Sequence, residues 1–380
     1  MGKNFSEHDK KCMRQALALA KNGIGLANPN PLVGAVIVNS KGIIIGRGYH
    51  KRFGYLHAER NAINDCIAQG NSPKNATMYV TLMPCCHVGK QPACTDAIIE
   101  AGIKQVVVGS HDPNPLVGKK SLAILQKSGV QVKCGCLKNE CDKLNEIFFH
   151  YITKHVPYVL MKYAMSADGK IACSNGASRW ISNGYARDDA HKLRNKFSSI
   201  MVGVGTVIQD NPHLNCRIPN GINPMRIICD TNLRTPVSAK VVQTAHEQPT
   251  IIAYSNTEKT MANTIQELEN HGCICMEVPL GADEHLDLNA LMHTLAQCEI
   301  DSVLLEGGAT LNAAALQAQI VQELHVYIGT KILGGKTSPS PVGGAGVKKP
   351  AQAYRLKNVK YDKFGSNILL KAKIDYSKCK

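Results

Sequence analysis

His57-Ala-Glu59 and, further along the chain, Pro84-Cys-Cys-His-Val-Gly-Lys-Gln-Pro-Ala-Cys94 decide the fold of the first half of this sequence. Zinc is held tetrahedrally by neutral imidazole and thiolate groups, and a catalytic site leaves the fourth position to water. The metal lowers the pKa of that water from ~15.7 towards ~7. A carboxylate that lies beside the metal without ligating it can then move the proton. One histidine, two cysteines and a nearby glutamate at the start of a helix therefore predict a catalytic zinc centre.

A structural zinc site is the alternative for the same residues. Such a site closes the tetrahedron with four protein ligands, and Cys86 and His87 are available as extra donors. A structural site has no use for a carboxylate two residues after its histidine, so Glu59 favours the catalytic interpretation. On that interpretation Cys86 and His87 adjoin a ligand and point elsewhere.

Strands and helices alternate on both sides of these motifs, which predicts an α/β fold with helices on both faces of a sheet. Residues 33–38 and 42–46 are predicted to pair as strands, and residues 137–151 to form one helix. The alternation restarts after Thr153-Lys-His-Val-Pro157, with further strands near residues 199–203, 226–230, 250–254, 273–278, 302–306 and 324–328. We therefore place one domain at residues 1–152 and a second at residues 153–380.

The composition narrows the classes of protein to which this chain can belong. With 380 residues, 44% hydrophobic and 19% charged, the chain can bury two cores and is not a disordered or low-complexity protein. The net charge of +15 would suit nucleic acid, an anionic membrane or a phosphorylated substrate. Basic residues occur in pairs and never in a run of five. Charge alone therefore does not identify the partner.

The compartment is predicted from the first residues and from the cysteines. The start MGKNFSEHDKK lacks the apolar core of a signal peptide, and no apolar run reaches the ~18 residues of a membrane span. Fifteen cysteines, an odd number, cannot form a closed set of disulfides. We expect a cytoplasmic protein with reduced thiols and no membrane partner.

Two glycine-containing turns mark the second half. Gly203-Val-Gly205 follows a strand, but Ile208 occupies the third position of a G-x-G-x-x-G pattern, so the Rossmann prediction fails and an ordinary tight turn explains the motif equally well. Glu306-Gly-Gly-Ala-Thr-Leu-Asn312 joins a buried strand to a helix. Backbone N–H groups at such a helix start can receive a phosphate, although a plain turn would look the same.

These motifs together resemble one enzyme family. Deaminases of nucleosides and transfer RNA bring their two cysteines as C-x-x-C, whereas eight residues separate Cys85 from Cys94 here. That long form, together with Asn28-Pro-Asn-Pro-Leu-Val-Gly34, resembles the bifunctional riboflavin-biosynthesis deaminase/reductases. The resemblance implies a cytidine-deaminase-like three-layer domain followed by a dihydrofolate-reductase-like α/β domain. It extends from Ser6 to about Lys373.

The resemblance also implies roles for residues of the first half. His57, Cys85 and Cys94 would hold one Zn²⁺, and Glu59 would be the catalytic proton carrier. Substrate contacts would fall on Asn30, His50 and Lys90. Family members often have Thr and Pro where this chain has Gln91 and Ala93, which puts only the conformation of that loop in doubt.

In the second half the resemblance implies NADPH as cofactor. The cofactor contacts carried over are Ala164, Trp180, Thr206, Asp210, Thr231, Gly308, Ala309, Thr310, Leu311 and Asn312. The substrate contacts carried over are Ser178, Arg194, Leu214, Arg217 and Glu306. Arg194 and Arg217 can grip a ribose phosphate with paired N–H groups. Asp210 could equally stabilise its loop. Lys162, on the first strand of the second half, is a further candidate for the site, with exposure to solvent as the alternative for a strand lysine.

The sequence thus predicts a bifunctional enzyme of riboflavin biosynthesis. Deamination of a phosphorylated diaminopyrimidinone precedes the NADPH-dependent reduction of its ribosyl group. Asp210 and Glu306 are both candidates for the acid of the second step. We expect a small-molecule substrate, no nucleic-acid partner and a homo-oligomeric assembly. The alternatives are a nucleic-acid or nucleoside base deaminase with an accessory nucleotide-binding domain, and a non-catalytic zinc module with a nucleotide-sensing domain.

Overall fold

The structure is a computed structural model, and it describes residues 5–87, 91–114, 118–255 and 261–377, with the side chains of residues 118 and 119 left out. Lys90, one of the predicted substrate contacts, lies outside the described residues. The chain divides into two compact units, of which the first ends at His155 and the second begins at Val156. The sequence predicts the boundary at residues 152 and 153, within the last helix of the first unit.

The first unit contains eleven α-helices and strands within its described residues. In chain order they are α1 (Glu7–Ala20), β1 (Gly34–Val38), β2 (Ile44–Tyr49), α2 (Ala58–Ala68), β3 (Thr77–Leu82), α3 (Cys94–Glu100), β4 (Gln105–Ser110), α4 (Gly118–Lys127), β5 (Gln131–Cys134), α5 (Lys138–Leu144) and α6 (Glu146–Lys154). The sheet order is β2-β1-β3-β4-β5, with β1 antiparallel to both neighbours and β3, β4 and β5 parallel.

Helices cover both faces of this sheet and form three layers. One core cluster joins Ile37 and Val80 to Ala62 of α2 and Ile98 of α3, and another joins Val36 and Val107 to residues of α1 and α5. Ser6 and Asp9 form a reciprocal capping box that starts α1. The predicted three-layer α/β architecture is confirmed.

The helix predicted at residues 137–151 is interrupted. It forms as α5 and α6, with Asn145 between them. The Asn145 side chain accepts a hydrogen bond from the Leu32 N–H at 2.8 Å and donates one to the Leu32 carbonyl at 3.0 Å. The backbone of Asn145, with φ −108° and ψ 21°, departs from helical values and separates the two helices. The side-chain pairing with Leu32 fixes the loop that carries Asn30.

The second unit contains a larger set of α-helices and strands. In chain order they are β6 (Tyr158–Met165), α7 (Gly184–Lys196), β7 (Ser199–Gly203), α8 (Val204–Asp210), β8 (Met225–Cys229), α9 (Lys240–Gln243), β9 (Thr250–Tyr254), α10 (Ala262–Asn270), β10 (Cys273–Glu277), α11 (Leu288–Gln297), β11 (Ser302–Leu305), α12 (Ala309–Gln317), β12 (Val321–Ile328), β13 (Arg355–Phe364) and β14 (Asn367–Asp375).

One twisted sheet runs through this unit in the order β10-β9-β8-β7-β11-β6-β12-β14-β13. The strands from β10 to β12 are parallel, and β14 and β13 extend the sheet as an antiparallel hairpin. Because the carboxyl ends of parallel strands meet at one edge, the loops after β6, β7, β8 and β11 share that edge. None of the described helices is long and apolar enough to cross a membrane.

Candidate functional site

Three predicted metal ligands come together in the first unit. His57 is the N-cap of α2, Cys94 is the first residue of α3, and Cys85 lies in the loop after β3. The ligand atoms of the three residues lie within 4.8 Å of one another. The His57 Nδ1 atom is 3.5 Å from Cys85 Sγ and 3.4 Å from Cys94 Sγ. Tetrahedral zinc with ordinary bond lengths requires nitrogen–sulfur separations of about 3.5 Å, so this donor set fits zinc.

The electrostatics around Cys85 favour the thiolate that a metal requires. Hydrogen bonds from Cys94 and from His57 lower the pKa of Cys85. The backbone N–H of Cys94, at the start of α3, points at the Cys85 sulfur from 3.4 Å. An N–H group aimed at sulfur stabilises negative charge there.

Glu59 lies beside the cluster and is not one of its ligands. Its side chain is buried, with 3% of the residue exposed, and it hydrogen-bonds the Cys94 thiol. Burial, followed by the charge of Cys85, raises the pKa of Glu59 to about 7. A carboxyl group with that pKa both accepts and donates protons near neutral pH.

Neighbouring side chains hold the cluster in place. Arg60 of α2 donates to the Ala93 carbonyl at 2.9 Å and so ties α2 to the loop before Cys94. Gln91 donates to the Gly54 carbonyl at 2.8 Å. At this position, where the sequence departs from the common family pattern, the loop is therefore anchored by a side-chain hydrogen bond.

The predicted substrate contacts Asn30 and His50 touch each other. The Asn30 side-chain nitrogen lies 3.1 Å from His50 Nε2, and the rings of His50 and His57 are 5.2 Å apart in edge-on contact. Burial lowers the pKa of His50, so its neutral form is favoured. His50 Nδ1 lies 3.2 Å from the Leu56 carbonyl and Nε2 faces Asn30, so the Asn30 amide, rather than the imidazole, is the group that this pair offers to a pyrimidine edge.

Asp112 is a residue of this region that the sequence reasoning missed. It follows β4 and interacts electrostatically with Cys85 and His87. Burial is the main cause that raises the pKa of Asp112 to about 6, and the Asn114 N–H donates to its carboxylate at 2.8 Å. The sequence indicates Asp112 only through its place just after β4. Because β4 runs parallel to β3, the loops that follow these two strands lie at the same edge of the sheet.

The second unit contains a cavity of about 480 Å³ at the carboxyl edge of its sheet. Eight predicted contacts line it, and they are Thr206, Asp210, Thr231, Gly308, Ala309, Thr310, Leu311 and Ser178. Gly307 has φ +79°, a backbone conformation that favours glycine. Gly308, the N-cap of α12, lines the cavity, so the backbone at the start of this helix faces the cavity without a side chain at that position, which suits a phosphate.

Three predicted cofactor residues do not line this cavity. Ala164 packs against the cluster formed by Ala186, Tyr327 and Leu369. Trp180 is 58% exposed and lies under the Arg187 guanidinium at 4.3 Å from the ring centre. Asn312 is buried and donates to the Pro341 carbonyl. Their role as cofactor contacts stays a prediction.

The remaining predicted substrate contacts form a second group. Arg194 pairs with Glu306, and its Nη1 donates to the Asn215 carbonyl at 3.0 Å. Arg217 donates to the Asn215 side chain at 3.1 Å, and Leu214 precedes Asn215 in the chain. Lys162 Nζ lies 3.5 Å from Glu306, so this strand lysine does face the group.

His191, on α7, belongs to this group and was missed from sequence. Burial, followed by the charges of Arg194 and Arg217, lowers the pKa of His191 to about 4. His191 lies within a helix and belongs to no recognisable sequence motif, so the sequence alone does not identify it.

Comparisons with known proteins cover both units. The family model described as the RibD C-terminal domain matches residues 157–370, and the one described as the cytidine and deoxycytidylate deaminase zinc-binding region matches residues 6–110. Riboflavin biosynthesis protein RibD of Actinobacillus pleuropneumoniae is 48% identical over 364 residues, covering 95% of this chain and 94% of that protein. The chain belongs to the RibD family.

Solved structures agree along the whole length. A diaminohydroxyphosphoribosylaminopyrimidine deaminase/5-amino-6-(5-phosphoribosylamino)uracil reductase from Thermotoga maritima matches with a TM-score of 0.82 at 35% identity, covering 97% of this chain and 99% of that one. Acinetobacter baumannii RibD in its form 1 matches with a TM-score of 0.85 at 34% identity and the same coverage of both chains.

Family membership assigns an activity to each unit. The chain is a bifunctional riboflavin biosynthesis deaminase/reductase, a hydrolase in its first unit and an oxidoreductase in its second. The alternative, a nucleic-acid or nucleoside base deaminase with an accessory domain, is not favoured, because one relative matches both units together. The zinc-binding description of the first family fits the three-ligand cluster.

Proposed function

We propose that the first unit deaminates a 2,5-diamino-6-(5-phosphoribosylamino)pyrimidin-4-one, and that the second reduces the ribosyl group of the product to ribityl with NADPH. The observation that carries the proposal is the convergence of His57, Cys85 and Cys94 beside the non-ligating Glu59. The substrate is the one implied by the name of the Thermotoga maritima enzyme.

His57, Cys85 and Cys94 would hold Zn²⁺ through one imidazole and two thiolates. Zinc bound there would supply a water molecule of lowered pKa. Glu59 accepts the first proton of the attacking water and passes it to the ring nitrogen; it then takes the second proton from the hydroxyl formed on the ring carbon and passes it to the leaving amino group, so that a carbonyl forms and ammonia departs. His50 and Asn30 hold the pyrimidine edge in the orientation that this proton transfer needs.

The second unit binds the two phosphorylated molecules separately. NADPH in the cavity would supply a hydride for C1 of the ribosyl group. The turn at Gly307 and Gly308 binds phosphate of the cofactor, and Arg217 binds the phosphate of the substrate. These residues position the cofactor and the substrate, and they form no covalent bond with either.

We infer that Glu306 is not the acid of the reductase step. Burial by itself raises the pKa of Glu306, but the charges of Arg194 and Lys162 outweigh it and hold the pKa well below its usual range. An ionised carboxylate has no proton to donate. We assign Glu306 the task of holding Arg194 and Lys162 at the substrate side of the site.

Assembly and location remain predictions. We expect a cytoplasmic, homo-oligomeric enzyme that acts on phosphorylated small molecules and has no nucleic-acid partner.

Glu59→Gln tests the proposal. The amide keeps the size of the side chain and leaves the three ligands intact, but it cannot accept a proton. Ammonia release should fall by about 10²–10⁴-fold while zinc content stays unchanged. Reduction of a pre-deaminated substrate should be retained. Near-normal ammonia release would refute the role of Glu59.

A further inference from the structure

His191 is a buried histidine whose ring has no hydrogen-bond partner among the described residues. Three histidines of the described chain are buried, and they are His50, His191 and His325. Both ring nitrogens of His50 have partners, and His325 Nε2 lies 3.0 Å from a Glu323 oxygen. His191 is only 8% exposed, yet neither of its ring nitrogens is bonded within the described residues, and Nδ1 is shielded from solvent. Buried polar groups are normally paired, so this ring requires an explanation.

The position of His191 on α7 places it among the predicted substrate contacts. The Cys216 thiol donates to the His191 carbonyl at 3.5 Å, and Arg194, three residues further along the helix, donates to the Asn215 carbonyl at 3.0 Å. Because residues three apart on a helix are neighbours, His191 and Arg194 lie on the side of α7 that packs against residues 214–217. His191 does not line the cavity assigned to the cofactor.

The charged groups around the His191 ring leave an excess of positive charge. Those that interact with it electrostatically are Arg194, Arg217, Lys162 and Glu306. These three cations and one carboxylate give a net charge of +2. Burial, followed by the charges of Arg194 and Arg217, lowers the pKa of His191 to about 4. The ring is therefore neutral at pH 7 and keeps one N–H donor and one lone pair.

Of the three cations, Arg217 has the most donors left for a ligand. Arg194 uses two N–H groups on Glu306 and a third on the Asn215 carbonyl, and Lys162 Nζ lies 3.5 Å from Glu306. Arg217 makes one hydrogen bond, to the Asn215 side chain at 3.1 Å. The unpaired His191 ring and the largely free Arg217 fork thus belong to one cluster that has more donors than acceptors.

We propose that the His191 ring N–H donates a hydrogen bond to the phosphate ester of the reductase substrate, beside Arg217. The inference deepens the proposed function and rests on it, because it adds a substrate-binding residue to the second unit. A phosphate ester carries about −1.5 to −2 charges at pH 7, which balances the net charge of the cluster. It also supplies the acceptor that the described residues do not offer to the ring. Because the ring is neutral, it adds a directed donor without adding charge.

Steady-state NADPH oxidation by the full-length chain tests this with two substrates. They are 5-amino-6-(5-phosphoribosylamino)uracil and its dephosphorylated counterpart. His191→Phe keeps an aromatic ring and removes the N–H. It should lower kcat/KM for the phosphorylated substrate by about 10- to 100-fold, the usual loss for a hydrogen bond to a charged group, and that for the dephosphorylated one by less than twofold. The inhibition constant of ribose 5-phosphate should rise by a similar factor, and the KM for NADPH should stay within twofold.

Two further variants and the unfolding temperature separate ligand binding from a structural role. His191→Gln should recover part of the loss, because its amide can donate to a phosphate. His191→Phe should not lower Tm, because it replaces an unpaired buried group with an apolar ring. His293→Phe is the matched control, since His293 is an exposed histidine on α11 of the same unit, and it should leave every constant unchanged.

Equal losses for the two substrates in His191→Phe would overturn the inference. An unchanged inhibition constant for ribose 5-phosphate would overturn it as well, and so would a lowered Tm with an unchanged ratio of the two kcat/KM values. If the unaltered chain itself reduces both substrates equally well, no phosphate is recognised at this site. The proposed phosphorylated substrate then fails together with the inference, whereas a failure seen only in the variant leaves the proposed function intact.

Discussion

Arg194 and Glu306 form a two-pronged ion pair. Arg194 Nε lies 2.9 Å from Glu306 Oε1, and Arg194 Nη2 lies 2.9 Å from Glu306 Oε2. The two side chains are only 14% and 11% exposed. Most of the donor fork of Arg194 is thus engaged by the protein itself, whereas Arg217 makes a single side-chain contact with Asn215. The two arginines, which the sequence pairs as equivalent phosphate ligands, should respond differently to substitution.

Arg194→Ala should lower the stability of the second unit. Removing one partner of a buried ion pair leaves the other charge uncompensated, which costs about 3–5 kcal/mol; Lys162 remains near Glu306, so we expect roughly 2–4 kcal/mol. Denaturant unfolding of Arg194→Ala, of Glu306→Ala and of the double variant would measure the loss in the free energy of unfolding. The double variant should lose clearly less than the sum of the two single losses. Additive losses would contradict a direct energetic pairing.

Arg217→Ala should act on substrate binding and hardly on stability. A charge-assisted bond is worth ~1.5–3 kcal/mol, so the reductase KM for the phosphorylated substrate should rise by about one to two orders of magnitude. The KM for NADPH should stay within twofold. Arg217→Lys should recover the affinity only in part. If the NADPH constant rises instead and that of the substrate does not, the assignment of the two phosphate sites is reversed.

Cys85→Ser and Cys94→Ser should each lose zinc, whereas Cys86→Ser should keep it. The ligand atoms of Cys85 and Cys94 lie in the cluster with His57, and Cys86 contributes none. Elemental analysis of the purified variants gives the zinc content per chain. Equal loss in all three variants would indicate a closed four-ligand structural site, and a catalytic water would then have no place on the metal.

Glu323 should give the second unit an acid-sensitive component of stability. Burial raises the pKa of Glu323, but hydrogen bonds from His325 and Tyr158 and the charge of Lys373 lower it to about 2 from the ordinary value of 4.5. The unfolded carboxyl group therefore takes up a proton before the folded one does. The resulting stabilisation, at most about 3 kcal/mol, is complete above pH 4.5 and is lost as the pH falls through 2.

Unfolding measured from pH 7 downwards on the unaltered chain and on Glu323→Gln checks this. The variant should be less stable at pH 7, and the difference should shrink below pH 4.5. Glu267→Gln, on the exposed face of α10, is the control and should show no such difference. A difference that does not depend on pH would mean that Glu323 acts through packing alone.

Much of the fold was predictable because buried parallel strands have a strong sequence signature. Residues 199–203 and 250–254 are almost wholly buried apolar runs, and the strands form where they were predicted. The hairpin of β13 and β14 was missed. Nine of the ten residues of β13 are exposed, so this strand has no buried apolar face for a sequence pattern to indicate.

The same contrast holds for the sites. His57, Cys85 and Cys94 were predictable because zinc chemistry restricts the residue types and their spacing. Ile171, Pro339 and Arg234 line the reductase cavity from separate loops, and only the order of the strands brings them together. His191 and Asp112 owe their position to packing, which a single sequence does not encode as a motif.

The most direct test is to measure how many NADPH molecules are oxidised for each ammonia released. The purified chain is incubated with the diaminopyrimidinone ribosylamine phosphate and NADPH, and ammonia release and NADPH oxidation are recorded separately. The account predicts that ammonia appears first and that one NADPH is oxidised for each ammonia released. With Glu59→Gln both signals should fall, and pre-deaminated substrate should restore NADPH oxidation alone. NADPH oxidation that proceeds at full rate without ammonia release, or ammonia release never followed by oxidation, would contradict the assignment of two consecutive reactions to this chain.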